Sequence, residues 1–158
     1  MLAAPVLYAM AQVPTHLTTD LIENTDMVSQ DGYVSTMPLD KSGTAIERFQ
    51  IPTIHSTHPT FGWGVNSTKP NTRQTAYRII IATSQQKIAK DSADVWDSGK
   101  VSSDNSTTVV YTGQALKPRT KYYWKVKTWD NHGTESPYSS TRGFLTARSL
   151  DGTTARYP

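Results

Sequence analysis

The chain has 158 residues, no cysteine and a formal net charge of +3, with a sequence pI of about 9.1. That length is enough for one domain with tails and a sizeable core. The missing thiols exclude disulfide staples, cysteine nucleophiles and thiolate metal sites, and lysines and arginines scattered without a block give no nucleic-acid footprint.

In chain order, residues 1–11 are mostly apolar and small, and Ala9-Met10-Ala11 before Gln12 matches an A-x-A cleavage site. No Lys or Arg precedes it, so the segment reads as a clipped export signal, too short for a transmembrane span. An exported bacterial protein, periplasmic or extracellular, is the expectation. Residues 12–45 carry Asp20, Glu23, Asp26, Asp31 and Asp40 with no sustained period. Thr18-Thr19-Asp20 before Leu21-Ile22 could cap a short helix, but the stretch as a whole is expected to be an irregular N-terminal extension. The pattern then changes. After Pro59, the residues Phe61, Trp63 and Val65 alternate with Gly62 and Gly64, a strand with its aromatic face inward. Glycines on its other face predict close approach by another backbone. Residues 66–72 are a loop by composition.

Residues 76–82 form the strongest strand by β-propensity, with Tyr77, Ile79 and Ile81 toward the core and Arg78 outward. Residues 85–94 are a polar excursion with room for one helical turn. Val95-Trp96-Asp97-Ser98-Gly99-Lys100-Val101 reads as a short strand broken by a turn, with Gly99 free to take positive φ. Residues 106–111 are β-branched and extended. Leu116-x-Pro118-x-Thr120-x-Tyr122-x-Trp124-x-Val126 then alternates with strand periodicity. Its L-x-P-x-T-x-Y half places a tyrosine at a corner, where immunoglobulin-like sandwiches bond its hydroxyl to upstream backbone. Asp130-Asn131-His132-Gly133 is a tight turn, and residues 142–147, with Phe144 and Thr146 on one face, are the last strand. Residues 149–158 read as a linker to a downstream domain.

About seven short strands separated by turns predict an all-β sandwich over residues 46–148, of immunoglobulin-like or fibronectin type III class. Without cysteines for an inter-sheet disulfide, the fibronectin type III branch is favoured. The residues expected to build it are Trp63, Tyr77, Trp96, Asp97, Gly99, Leu116, Tyr122, Trp124, Val126, Asp130, Gly133 and Phe144.

Few residues invite chemistry. His55-x-x-His58 flanks a proline and lacks a third ligand, so no metal and no cofactor is expected. Trp96-Asp97 and Trp129-Asp130 fit neither the period nor the copy number of a propeller, and their aspartates are better read as turn caps than as catalytic acids beside Glu135. No nucleophile elbow or phosphate loop occurs, so no catalytic residue is assigned. Asn66-Ser67-Thr68 and Asn105-Ser106-Thr107 match a glycosylation sequon but read as polar loops. On the strand of Tyr122, the opposite face carries Tyr123, Lys125, Lys127 and Trp129. Tyr123 and Trp129, with Tyr138 nearby, are candidate sugar-stacking aromatics; the competing reading is structural packing under a loop or against a neighbouring domain.

His58-Pro59-x-Phe61-Gly62-Trp63, Gln74-Thr75-Ala76-Tyr77-Arg78-Ile79, the Trp96-Asp97-Ser98-Gly99-Lys100-Val101 run and Tyr122-Tyr123-Trp124-Lys125-Val126-Lys127-Thr128-Trp129-Asp130 occur in this order. Together they resemble the N-terminal fibronectin type III-like domain of bacterial α-L-rhamnosidases of glycoside hydrolase family 78. The resemblance implies a non-catalytic accessory domain of an exported enzyme that cleaves terminal α-L-rhamnosides. Its partners would be downstream domains of the same polypeptide and rhamnose-containing glycans. In that family hydrolysis belongs to a downstream (α/α)₆ barrel with acidic residues as general acid and base. None of the barrel motifs is present here. The alternative is a stand-alone carbohydrate-binding or adhesion module.

Overall fold

A computed structural model describes residues 12–30, 33–38 and 52–154, with side chains described at 12–26 and 52–151. The export-signal reading of residues 1–11 lies outside the described residues. The strands in chain order are β1 (Thr15–Thr19), β2 (Met27–Gln30), β3 (Tyr33–Pro38), β4 (Thr53–His58), β5 (Thr60–Gly64) and β6 (Gln74–Ala82). After the short helix α1 (Gln85–Ala89) come β7 (Trp96–Asp97), β8 (Val101–Ser102), β9 (Val109–Val110), β10 (Lys121–Asp130) and β11 (Arg142–Thr154). They make a three-stranded sheet β1-β5-β9 and a six-stranded sheet β4-β11-β10-β6-β7, with β8 also on β6; β2 and β3 pair with each other.

Pro59 separates β4 from β5 and has no N–H to continue a ladder. The chain changes sheets there: β4 pairs with β11 in parallel, and β5 pairs with β1 and β9 antiparallel. The two sheets enclose a core of alternating inward side chains. β5 supplies Phe61 and Trp63, β6 supplies Tyr77, Ile79 and Ile81, and β10 supplies Tyr122, Trp124 and Val126. Phe61 packs on Trp124 with ring centroids 4.5 Å apart, and Tyr122 stacks on Phe144 at 5.5 Å. Each such side chain contributes about 1.5–3 kcal/mol by leaving water.

The corner expected at Tyr122 is present: its hydroxyl accepts the Lys117 backbone N–H at 2.9 Å, five residues upstream. Thr146 reinforces the same corner, donating its hydroxyl to the Lys117 carbonyl at 2.6 Å and accepting the Thr120 N–H at 2.9 Å. Gly62 also behaves as its setting requires. A Cβ there would stand 2.7 Å from the Thr18 hydroxyl and 2.9 Å from the Thr107 carbonyl, so two chain segments press on β5 from outside.

Three segments differ from the sequence reading. The stretch expected to be an irregular extension supplies β1, whose Leu17 enters the core and whose Thr19 accepts the buried Trp124 indole N–H at 3.2 Å. A two-residue turn between Thr19 and Ile22 follows, with Asp20 and Leu21 at φ 49° and 65°. No helix is capped at Thr18-Thr19-Asp20; the threonines join a ladder instead. A single leucine among threonines gave no visible period, and pairing with β5 decides the matter. β2 and β3, in the same stretch, pair antiparallel. Residues 149–154, expected to be linker, extend β11, which pairs Asp151 with Ser56 and Thr154 with His58. This strand end is extended by the β4 edge beside it, not by its own propensity.

Candidate functional site

β10 divides the molecule. Its Tyr122, Trp124 and Val126 enter the core, and Tyr123, Lys125, Lys127 and Trp129 lie on the outer face beside Arg78, Ile80 and Ala82 of β6. One half of this outer face is apolar and covered. Ser84 caps α1, its hydroxyl accepting the Lys87 N–H, and Ile88 of the helix lies over Ile80, Ala82 and Tyr123. Tyr123, expected to be a surface aromatic, is therefore 6% exposed. Its ring also fills the space beside Gly143, where a Cβ would stand 3.2 Å from the ring carbons.

The other half is a ladder of cations and rings. Lys100 stands 4.7 Å and Lys127 5.4 Å from the centre of the Trp129 ring; Lys125 and Lys127 each stand 4.9 Å from that of Tyr138. Lys125 also pairs with Asp91, and Lys127 with Glu135. Arg78 donates through Nε to Asp97 at 2.9 Å, and its second nitrogen bonds the other carboxylate oxygen. The Asp97 hydrogen bond raises the Arg78 pKa, and Arg78 in turn lowers that of Asp97. Burial raises the Tyr138 phenol. Each cation over a ring is worth about 0.5–1 kcal/mol at an exposed site. A sugar stacking on these rings would first have to displace lysines.

The acids weighed for catalysis are engaged separately. Asp97 accepts the Gly99 N–H at 2.9 Å, and Asp130 accepts those of His132 and Thr134 at 2.9 and 3.0 Å. Gly99 and Gly133 take φ 64° and 77°, the left-handed conformation these turns need. Glu135 holds Lys127. Trp96 packs edge-on against Tyr111, with centroids 5.0 Å apart, and Leu116 is buried in the core. His58 places its ring nitrogens 3.0 Å from the Thr57 hydroxyl and the Gly113 carbonyl, whereas His55 is exposed beside Thr53. Among the described residues no group of three His, Asp or Glu could hold a metal, and no helix is long and apolar enough to cross a membrane.

The sequence reading missed the ladder as a unit. Its signal was present in Lys125-x-Lys127-x-Trp129, but Lys100, Asp91 and Tyr138 come from loops whose paths the sequence does not fix. It also missed Ile88, the one large apolar residue in a polar excursion.

Two hollows open at opposite ends of β10. One, of about 310 Å³, lies around Tyr111, Leu116 and Tyr122. The Tyr111 hydroxyl there donates to the Gln114 carbonyl at 2.6 Å, and burial pushes its pKa up to about 12. Beside it, burial tends to raise the Asp94 pKa, but bonds from Thr83 and Lys87 outweigh this and pull it down to about 2. The other hollow, of about 130 Å³, lies beside Trp129 and Asp130 under the loop of residues 66–72.

The fold has known counterparts. An α-L-rhamnosidase of Streptomyces avermitilis is 42% identical over 97 residues, which is 61% of this chain and 9% of that protein. An α-L-rhamnosidase of Formosa agariphila is 44% identical over 91 residues, 58% of this chain and 10% of that protein. The solved α-L-rhamnosidase of Dictyoglumus thermophilum superposes with a TM-score of 0.67 at 27% identity, over 88% of this chain and 13% of that one. The chain thus spans about a tenth of the length of the curated relatives it matches. The family model described as the Rha78A-like, N-terminal immunoglobulin domain matches residues 44–148, and by that match the chain belongs to this family.

Proposed function

We propose that this chain acts as a non-catalytic N-terminal accessory domain of an exported α-L-rhamnosidase-like glycoside hydrolase, bracing the downstream domains of the same polypeptide. The observation that carries this reading is the coverage: a family of N-terminal domains matches residues 44–148, and the matched α-L-rhamnosidases are about ten times longer than the stretch they share with it. The chemistry agrees. Glycoside hydrolysis generally needs two carboxyl groups on either side of the scissile bond, and Asp97, Asp130 and Glu135 are each held by a separate structural partner. The parent polypeptide would hydrolyse terminal α-L-rhamnosides.

The test uses an aryl α-L-rhamnoside. The chain alone should release no phenol, and the same chain continued into the polypeptide encoded after Pro158 should release it. Hydrolysis by the chain alone, or a stop codon directly after Pro158, would overturn the reading. Export rests on Ala9-Met10-Ala11. Amino-terminal sequencing of the secreted protein should begin at Gln12.

A further inference from the structure

We propose that the cleft beside Trp129 binds a single neutral sugar ring. The cleft lies where β5 ends and β6 begins, closed on the other side by Thr128, Trp129 and Asp130 at the end of β10. Its volume is about 130 Å³. A cavity of roughly 150 Å³ encloses benzene, so this smaller cleft, open to solvent, takes in one edge of a single sugar ring rather than enclosing it.

Its floor is built and rigid. Gln74 is 4% exposed, accepts the Trp63 indole N–H at 2.9 Å, and donates to the Ser103 and Asn105 carbonyls at 3.1 and 2.9 Å. Beside it stands Thr128, also 4% exposed. The Thr128 backbone N–H is used by the Ser136 hydroxyl at 2.9 Å, but the Thr128 hydroxyl has no partner among the described residues. Other buried threonines are engaged: Thr19 by Trp124, Thr25 by the Gly143 carbonyl, Thr146 by the corner at Lys117. Buried polar groups are nearly always paired, and no unpartnered polar atom of the described side chains is sealed from solvent. The Thr128 hydroxyl therefore meets its partner in the cleft that the residue lines.

The lining selects the ligand class. The hydroxyls of Ser67, Thr68 and Thr128 among the lining residues both donate and accept, which suits a ligand whose own hydroxyls do the same. Lys69 and Asp130 balance in charge, so nothing here favours a phosphate or a carboxylate. The Trp129 ring is already occupied by Lys100 and Lys127. Recognition is led by hydrogen bonds rather than stacking, and affinity is correspondingly weak. This site does not depend on the accessory-domain reading, and neither would fall with the other.

The experiment is a two-dimensional amide NMR titration of the whole chain with methyl α-L-rhamnopyranoside and with methyl α-D-glucopyranoside. Saturable shifts confined to residues 65–74 and 128–130 are expected with at least one of them. Thr128→Val removes only the hydroxyl and should weaken binding about fivefold, with the rest of the spectrum unchanged. Thr68→Val, which removes a hydroxyl of the exposed loop that lines the cleft, takes its place should Thr128→Val disturb the fold. No saturable shift up to the solubility of either glycoside overturns the proposal. So do shifts centred elsewhere, or undiminished binding by the valine variant.

Discussion

The two faces of β10 use the same residue types for different ends. Inward, Tyr122, Trp124 and Val126 pack ring against ring in the dry centre of the sandwich. Outward, Tyr123 is buried under α1, and Trp129 serves as a seat for lysine ammoniums. An aromatic on the outer face of a strand is thus not in itself a binding platform. What covers it decides, and here the cover comes from one short helix and two loops.

The sharpest way to break this contrast is at the centre. Trp124→Ala should cost about 3–5 kcal/mol in urea unfolding, since it empties a fully buried site and leaves the Thr19 hydroxyl unpaired. If Trp129→Ala cost as much, the two faces would not differ as described. Tyr122→Phe removes only the acceptor of the Lys117 N–H and should lower stability by about 1 kcal/mol at unchanged denaturant slope.

The cover of the outer face is sensitive to acid. Asp94 holds Thr83 and Lys87, and its pKa is drawn from the ordinary 3.8 to about 2 in the folded chain. A depressed carboxyl stabilises the fold above the unfolded value and loses that contribution as pH falls. The unfolding free energy from urea titration should therefore drop between pH 4 and pH 2, by no more than the roughly 1 kcal/mol of a surface ion pair. Asp94→Asn should flatten that part of the profile. The smallest effect belongs to Arg78 and Asp97, whose side chains are more than a third exposed. A double-mutant cycle should give a coupling of about 0.5 kcal/mol. A value several times larger would mean that the ladder is structural in the same sense as the core.

Much of this was legible in the sequence where a period ran long enough. The alternation from Leu116 to Val126 located β10 and its corner, and Tyr77-x-Ile79-x-Ile81 located β6. Trp-Asp followed by glycine marked both turns, because an aspartate beside a positive-φ residue has turn amides within reach. β1 was hidden, since only Leu17 carried its apolar signal. The continuation of β11 to Thr154 was hidden too, since β4 runs beside it only in the folded chain. At the candidate site the sequence pointed to Trp129 and not to Thr128. A threonine continuing an inward series looks like core, and that its hydroxyl has no partner among the described residues emerges only in the folded chain.

The sequence by itself determined the sandwich, the inward face of each long strand and the absence of thiol chemistry. Those follow from local alternation and composition, which need no distant partner. Tertiary structure alone decided which outer aromatics are covered, which N-terminal residue satisfies Trp124, and where a hydroxyl is left over. Each of these depends on contacts between residues far apart in the chain, such as Thr19 with Trp124 or Lys100 with Trp129. No local pattern encodes them.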